Sequence, residues 1–154
     1  MPQLYFEDLE AGQVFRSDKR IVMDAESIKD FAARYDPQPF HLDEEVASAT
    51  IFEGLAASGW HTAAVTMRML VEGSLKVAGG LVGAGMEELR WPKPVRPGDE
   101  LRVEAEVLSK RESRSRPQQG IVRVRNTTFN QDDEVVQVSV SAMIVPRRNP
   151  GARK

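Results

Sequence analysis

Strict alternation of apolar and charged residues dominates the C-terminal half of this chain. Leu101, Val103, Ala105 and Val107 alternate with Arg102, Glu104 and Glu106; Val122 and Val124 alternate with Arg123 and Arg125; Val136, Val138, Val140, Ala142 and Ile144 continue the period. Successive side chains of a strand point to opposite faces, so this pattern predicts half-buried antiparallel strands with one wet face. Such a sheet must bury its apolar face against another element. A helix over residues 60–75 is the candidate. Steps of 100° put Ala63, Met67, Leu70 and Ser74 on one side and His61, Val65, Arg68 and Glu72 on the opposite stripe. Outside that polar stripe the helix is apolar nearly all round, which predicts an embedded helix with strands wrapped around it.

The remaining elements are shorter. Asp24 is placed to cap a helix through Tyr35, with Ile28, Phe31, Ala32 and Tyr35 at helical spacing. Asp36-Pro37-Gln38-Pro39 stops it, and the two prolines predict a stiff, non-helical turn through His41. Strands are predicted over residues 14–22 and 86–91, a polar hairpin loop over 110–117, and a tighter turn over 130–134. The glycine-rich stretch 79–85 lacks a P-loop lysine and reads as a flexible connection. The expected class is α+β, with one domain over residues 1–146 and a frayed tail over 147–154.

Composition removes several function classes. With 154 residues the chain should bury roughly 70% of its unfolded surface, enough for a core without staples. Cysteine is absent, so no disulfide, thiolate ligand or thiol nucleophile is available. A net charge of -2 lacks the basic excess that nucleic-acid binding needs. His41 and His61 are the two histidines, too few for a His cluster, and no metal site is expected. No apolar run is long enough to span a membrane, and the opening Met1 to Asp8 has neither a basic start nor an apolar signal core. The expected location is the cytoplasm.

Two constellations carry possible chemistry. Asp36 and His41 lie five residues apart across the proline turn, where a carboxylate and an imidazole can hold and activate one water. Asp36 also ends a helix, at the negative end of its dipole, which favours the protonated carboxyl. Spacing alone leaves another reading open, in which Asp36 only begins an Asp-Pro turn and His41 only packs. The second constellation is the approach Phe52-Glu53-Gly54-Leu55-Ala56-Ala57-Ser58-Gly59-Trp60, small residues leading into the long helix. Free amides there suit an oxygen that becomes anionic, although Ser58 as a simple N-cap and Gly59 as a packing residue explain the same letters. The segment misses the G-x-S-x-G spacing of a serine nucleophile. His61 shares its stripe with the Arg68 and Glu72 pair, and reads as structural at a solvent or subunit-contact position. Arg90, Lys93, Arg96 and the basic residues of the 110–116 loop either meet phosphates of a nucleotide-bearing carrier or form a solvated face.

With these residues in view, the chain resembles the MaoC-like dehydratase family, which includes R-specific enoyl-CoA hydratases. Tyr35-Asp36-Pro37-Gln38-Pro39-Phe40-His41-Leu42-Asp43 is similar to the hydratase motif, in which an Asp is followed by x-Asn-Pro-x-His. Ala57-Ser58-Gly59-Trp60 matches the segment opening the central helix, and 89–99 resembles the strand that ends in a Pro-Gly-Asp turn. The resemblance implies a hot dog fold, an acyl-CoA thioester substrate, a homodimer or higher homo-oligomer, and no cofactor beyond the coenzyme A of the substrate. It implies that Asp36 and His41 activate water and that the Gly59 amide stabilises an enolate-like oxygen, with Gln38, Ser58 and Trp60 against the substrate. Gln38 stands where the family has Asn, and Ala64 where it often has Ser, so a hydroxyl that orients Asp36 is expected to be missing. Trp60 is expected to narrow the acyl pocket. An acyl-CoA thioesterase and a non-catalytic acyl-thioester binding domain are the alternatives.

Overall fold

The structure, a computed structural model, describes residues 2–149. A 3-10 turn at Phe6–Asp8 precedes two short strands, β1 (Val14–Arg16) and β2 (Ile21–Met23). Helix α1 (Ala25–Tyr35) leads to two helical turns, α2 (Pro39–Leu42) and α3 (Glu44–Ser48), and then to the long α4 (Gly59–Glu72). Four strands follow: β3 (Val82–Arg90), β4 (Asp99–Glu112), β5 (Gln119–Phe129) and β6 (Val135–Pro146). They pair antiparallel in the order β1-β4-β5-β6-β3, with β2 also on β4. Helix α4 lies on one face of this sheet, and the fold is the α+β hot dog arrangement. Met69 and Leu70 of α4 join Val103, Val107, Val122, Val124 and Val145 in one core. The Thr66 and Thr128 hydroxyls meet at 2.7 Å across the helix–sheet boundary.

Local chemistry accounts for most element ends. The Asp24 side chain accepts from the Ser27 amide and caps α1. Helix α4 stops at Gly73, where a Cβ would stand 2.9 Å from the Met69 carbonyl and 3.2 Å from that of Arg16. The single strand expected over residues 14–22 is two strands. Both lie on β4, but four residues, 17–20, span the place of Arg102 and Val103, and the Ser17 hydroxyl takes the Val103 amide at 3.0 Å.

Three further expectations change. Residues 82–85, read as a flexible connection, belong to β3 and pair with β6. The turn through His41 is helical from Pro39 to Leu42, because proline at the first helical position is preset for the helix and loses no needed amide. In β6 the period is right but the face is not. Gln137, Ser139 and Met143 are buried and stand opposite Thr128, Asn126 and Val122, the inward residues of β5; Ser141 stands opposite Val124. The valines Val138 and Val140 therefore point away from α4.

Helix α4 is not covered all round. Its buried residues are His61, Thr62, Thr66, Met69 and Leu70, whereas Trp60, Met67 and Val71 are exposed, as are Val82 and Met86 of β3. Arg147–Asn149, expected within a frayed tail, are held. Arg147 is buried and its amide donates to Gln118, Arg148 pairs with Asp8, and the Arg148 and Asn149 amides donate to Glu7. The rest of that expected tail, 150–154, lies outside the described residues. No helix among the described residues is long and apolar enough to cross a membrane.

Candidate active site

The site forms where α1 ends and α2 begins. Asp36 closes α1, its amide donating to the Ala32 carbonyl at 2.8 Å, and the extended backbone at Gln38 reverses the chain into α2. One helical turn then carries His41 inward, where 5% of its surface remains exposed. Phe40 packs edge-on against the imidazole with ring centres 4.6 Å apart, and Phe52 lies beyond it. The sequence separation of five residues becomes a direct meeting, with His41 Nε2 3.3 Å from Asp36 Oδ2.

Hydrogen bonding determines which atoms are available. His41 Nδ1 lies 2.6 Å from the Ala56 carbonyl. A carbonyl only accepts, so Nδ1 carries the proton and the neutral ring presents a lone pair on Nε2. The Asp36 carboxylate also accepts. Two acceptors facing each other suit a shared proton or a water that donates to both.

Asp36 is held at both oxygens. Gln38 Nε2 donates to Oδ1 at 2.5 Å and the buried Ser58 hydroxyl donates to Oδ2 at 2.7 Å. Burial works to raise this carboxyl, but the bonds from Gln38 and Ser58 and the nearby His41 outweigh it and hold Asp36 below the usual carboxylate range. This reverses the expectation from the helix dipole: hydrogen bonds within contact distance outweigh a partial charge at a helix end. The hydroxyl expected to be missing is also present. Ser58 supplies it, while Ala64 is exposed on the outer side of α4.

Ser58 links this pair to α4. Its Oγ donates to Asp36 and accepts from the Trp60 amide at 3.2 Å, so one hydroxyl caps the helix and orients the carboxylate. The amide between Ser58 and Trp60, that of Gly59, has no hydrogen-bond partner among the described residues. It lies at the positive end of a 14-residue helix. Gly59 also has a packing reason to be glycine, since a Cβ would fall 2.5 Å from the Trp91 ring. The glycine thus combines a free amide with close packing against Trp91.

The other expected residues are placed differently. Trp60 is 59% exposed, with its ring edge-on to Trp91 at 5.5 Å, and does not line the apolar cavity described below. His61 is not on a solvent stripe. It is buried, stacked on Phe31 at 4.7 Å between ring centres, with Nδ1 unpartnered, and burial holds the ring below its ordinary value of 6.5 against the pull of Asp24. The period-3.6 stripe failed at this position because α1 covers the first turn of α4. Arg96 is an internal clamp, bonding the carbonyls of Phe52, Gly54 and Leu55, just before the Ala56 that holds His41. Arg90 pairs with Glu88 and Lys93 with Glu134.

A cavity of about 340 Å³ opens between α4 and the sheet. It starts at Ala63, one turn past Gly59, and runs between Met67 and Leu70 of the helix and Leu89 and Met86 of β3. Gln137 of the lining accepts from Trp91 Nε1 at 2.9 Å, and the same Trp91 ring lies against Gly59; Asp36, His41, Ser58 and Gly59 are not among the lining residues. Gly83 and Gly85 are among its lining, and a Cβ at either would meet nothing within 4 Å. Sequence reasoning missed Trp91 and this cavity, and it read Arg96 as a phosphate contact or surface residue where the structure makes it an internal clamp. The legible signal was Asn126, which breaks the alternation of Val122 and Val124 at an inward position.

Comparison with known proteins bears on what this arrangement serves. A family model described as "MaoC like domain" matches residues 8–130. The chain belongs to the MaoC-like family. The crystal structure of the MaoC-like dehydratase from Rhodospirillum rubrum is 54% identical, superposes with a TM-score of 0.90, and the match covers 94% of this chain and 98% of that one. The R-hydratase PhaJ1 from Pseudomonas aeruginosa, in its unliganded form, is 26% identical with a TM-score of 0.74, covering 95% of this chain and 88% of that one. YdeM from Bacillus subtilis (strain 168), an uncharacterized protein, is 36% identical over 134 residues, 86% of this chain and 93% of its own length. This chain is thus similar to dehydratases and R-hydratases over nearly its whole length.

Proposed function

We propose that this MaoC-like protein is an enoyl-CoA hydratase, adding and removing water reversibly across the double bond of a 2-enoyl coenzyme A thioester. The supporting observation is the facing pair, Asp36 Oδ2 and His41 Nε2 at 3.3 Å, joined through Ser58 to the unpartnered Gly59 amide. A water held beside the pair donates a hydrogen bond to each acceptor and gives up one proton to the pair as it reacts. Its oxygen adds to the β carbon of the enoyl group while the double-bond electrons move toward the thioester carbonyl. The growing negative charge on that carbonyl oxygen is met by the Gly59 N–H at the start of α4. The proton taken up by the Asp36–His41 pair is returned to the α carbon, so one OH and one H are added in total.

The acyl chain lies in the cavity between α4 and the sheet. Residues 1–146 act as one hot dog unit in this reading, and two copies associate, covering Trp60, Met67 and Val71 of α4 and Val82 and Met86 of β3. The proposal includes a cytoplasmic location and no cofactor apart from the coenzyme A of the substrate. Incubation with crotonyl-CoA and longer 2-enoyl-CoAs, followed by chiral analysis of the 3-hydroxyacyl product, tests it. Formation of the R product is expected. Release of free coenzyme A without hydration would instead mark a thioesterase, and saturable binding without turnover a binding domain.

A further inference from the structure

The cavity between α4 and the sheet is mostly apolar, with Thr66 on its helix side and a polar patch within its sheet floor. Asn126, Ser139 and Ser141 converge there from neighbouring strands, with Ser139 directly opposite Asn126 and Ser141 one pair further along. Asn126 is 6% exposed, and its Oδ1 has no hydrogen-bond partner among the described residues. Its Nδ2 reaches Ser139 Oγ and Ser141 Oγ only at 3.4 and 3.5 Å, at the outer limit of a hydrogen bond. Buried amides are normally satisfied, and one left partly unpaired costs stability. Valine at these positions would continue the strand pattern and fill the core. The polar floor therefore calls for a ligand.

Resting on the hydratase reading, we infer that the acyl group taken by this cavity carries an uncharged hydroxyl on its chain, held by Asn126, Ser139 and Ser141. A hydroxyl both donates and accepts, which matches an amide with unused capacity beside two serine hydroxyls. Among the described residues no Lys, Arg or His lines the cavity, so an ionised carboxylate would be buried there without a counter-charge from them. A plain alkyl chain would fill the same volume and leave the floor unpaired. Sites built to bond a substrate hydroxyl discriminate strongly against the analogue that lacks it, because their own polar groups are then stranded.

The test compares binding of the saturated pair pentanoyl-CoA and 5-hydroxypentanoyl-CoA by calorimetry, alongside hydration of the corresponding 2-enoyl-CoAs. Wild type is expected to bind the hydroxylated chain about tenfold or more tightly, and Asn126→Val to invert that preference. Ser139→Ala, a smaller change within the strand, is expected to narrow it and covers the case in which Asn126→Val fails to fold. Equal binding, or preference for the plain chain, overturns the inference and means that water alone satisfies the floor. Hydration of both chains with no preference leaves the hydratase reading standing without this inference. A binding preference without hydration leaves the inference standing without that reading. Failure to bind either chain overturns both.

Discussion

The Ser58 hydroxyl donates to Asp36 Oδ2 at 2.7 Å, the same carboxylate oxygen that His41 Nε2 approaches to 3.3 Å. One buried serine therefore connects the start of the long helix to the acid–base pair. Asp36→Asn and His41→Ala are each expected to lower the hydration rate by about 10²–10⁴-fold, the usual scale of general acid–base help. Ser58→Ala removes a hydrogen bond to a charged group and is expected to cost about 10–100-fold. Steady-state hydration of crotonyl-CoA reads all three, and unchanged rates in Asp36→Asn would refute the site.

The lowered Asp36 carboxyl also makes a stability prediction. A carboxyl whose folded value lies below its unfolded one contributes stability that is fully present above the unfolded value, about 3.8, and is lost as pH falls through the folded value. Gln38→Ala and Ser58→Ala each remove a bond that lowers it. Urea unfolding followed as pH is lowered through 3.8 is expected to show a smaller acid loss in both variants than in wild type.

His61 titrates with the opposite charge sign but the same direction of effect. Burial keeps the folded ring neutral below its ordinary 6.5, while the unfolded chain takes up a proton there. Stability is expected to fall as pH drops below 6.5, down to the lowered folded value. His61→Phe keeps the stack on Phe31 and should abolish this component, seen as a flatter midpoint of unfolding against pH.

Gly59 has a steric role that is separable from its amide. Gly59→Ala retains the N–H but drives a methyl into Trp91, 2.5 Å away, and overpacking of this kind costs about 1–3 kcal/mol. Trp91→Ala in the same chain is expected to recover part of that loss. A double-mutant cycle by chemical denaturation measures the coupling, and strict additivity would show that the two residues do not meet.

Arg96→Ala releases the three carbonyls of Phe52, Gly54 and Leu55. Bonds from a charged donor are each worth about 1.5–3 kcal/mol, so a loss of that order in stability is expected. Activity should fall further than stability alone explains, since this loop leads into the carbonyl that orients His41. Thermal melts and kcat, measured together, separate the two.

The amino-acid sequence by itself determined the α+β class, the long helix and the alternating strands, and it set Asp36 and His41 five residues apart across a proline turn, because strand and helix periods and proline stops act within a few residues. Period alone did not decide which side of β6 faces inward. That choice depends on cross-strand register with β5, which sets Gln137, Ser139 and Ser141 opposite Thr128, Asn126 and Val124. Nor could spacing reveal that α1 covers His61, that Ser58 stands in for the hydroxyl absent at Ala64, or that Arg96 turns inward. Each of these contacts joins residues far apart in the chain. Only packing brings them together, and with them the charge state of Asp36 and the polar floor of the cavity were decided.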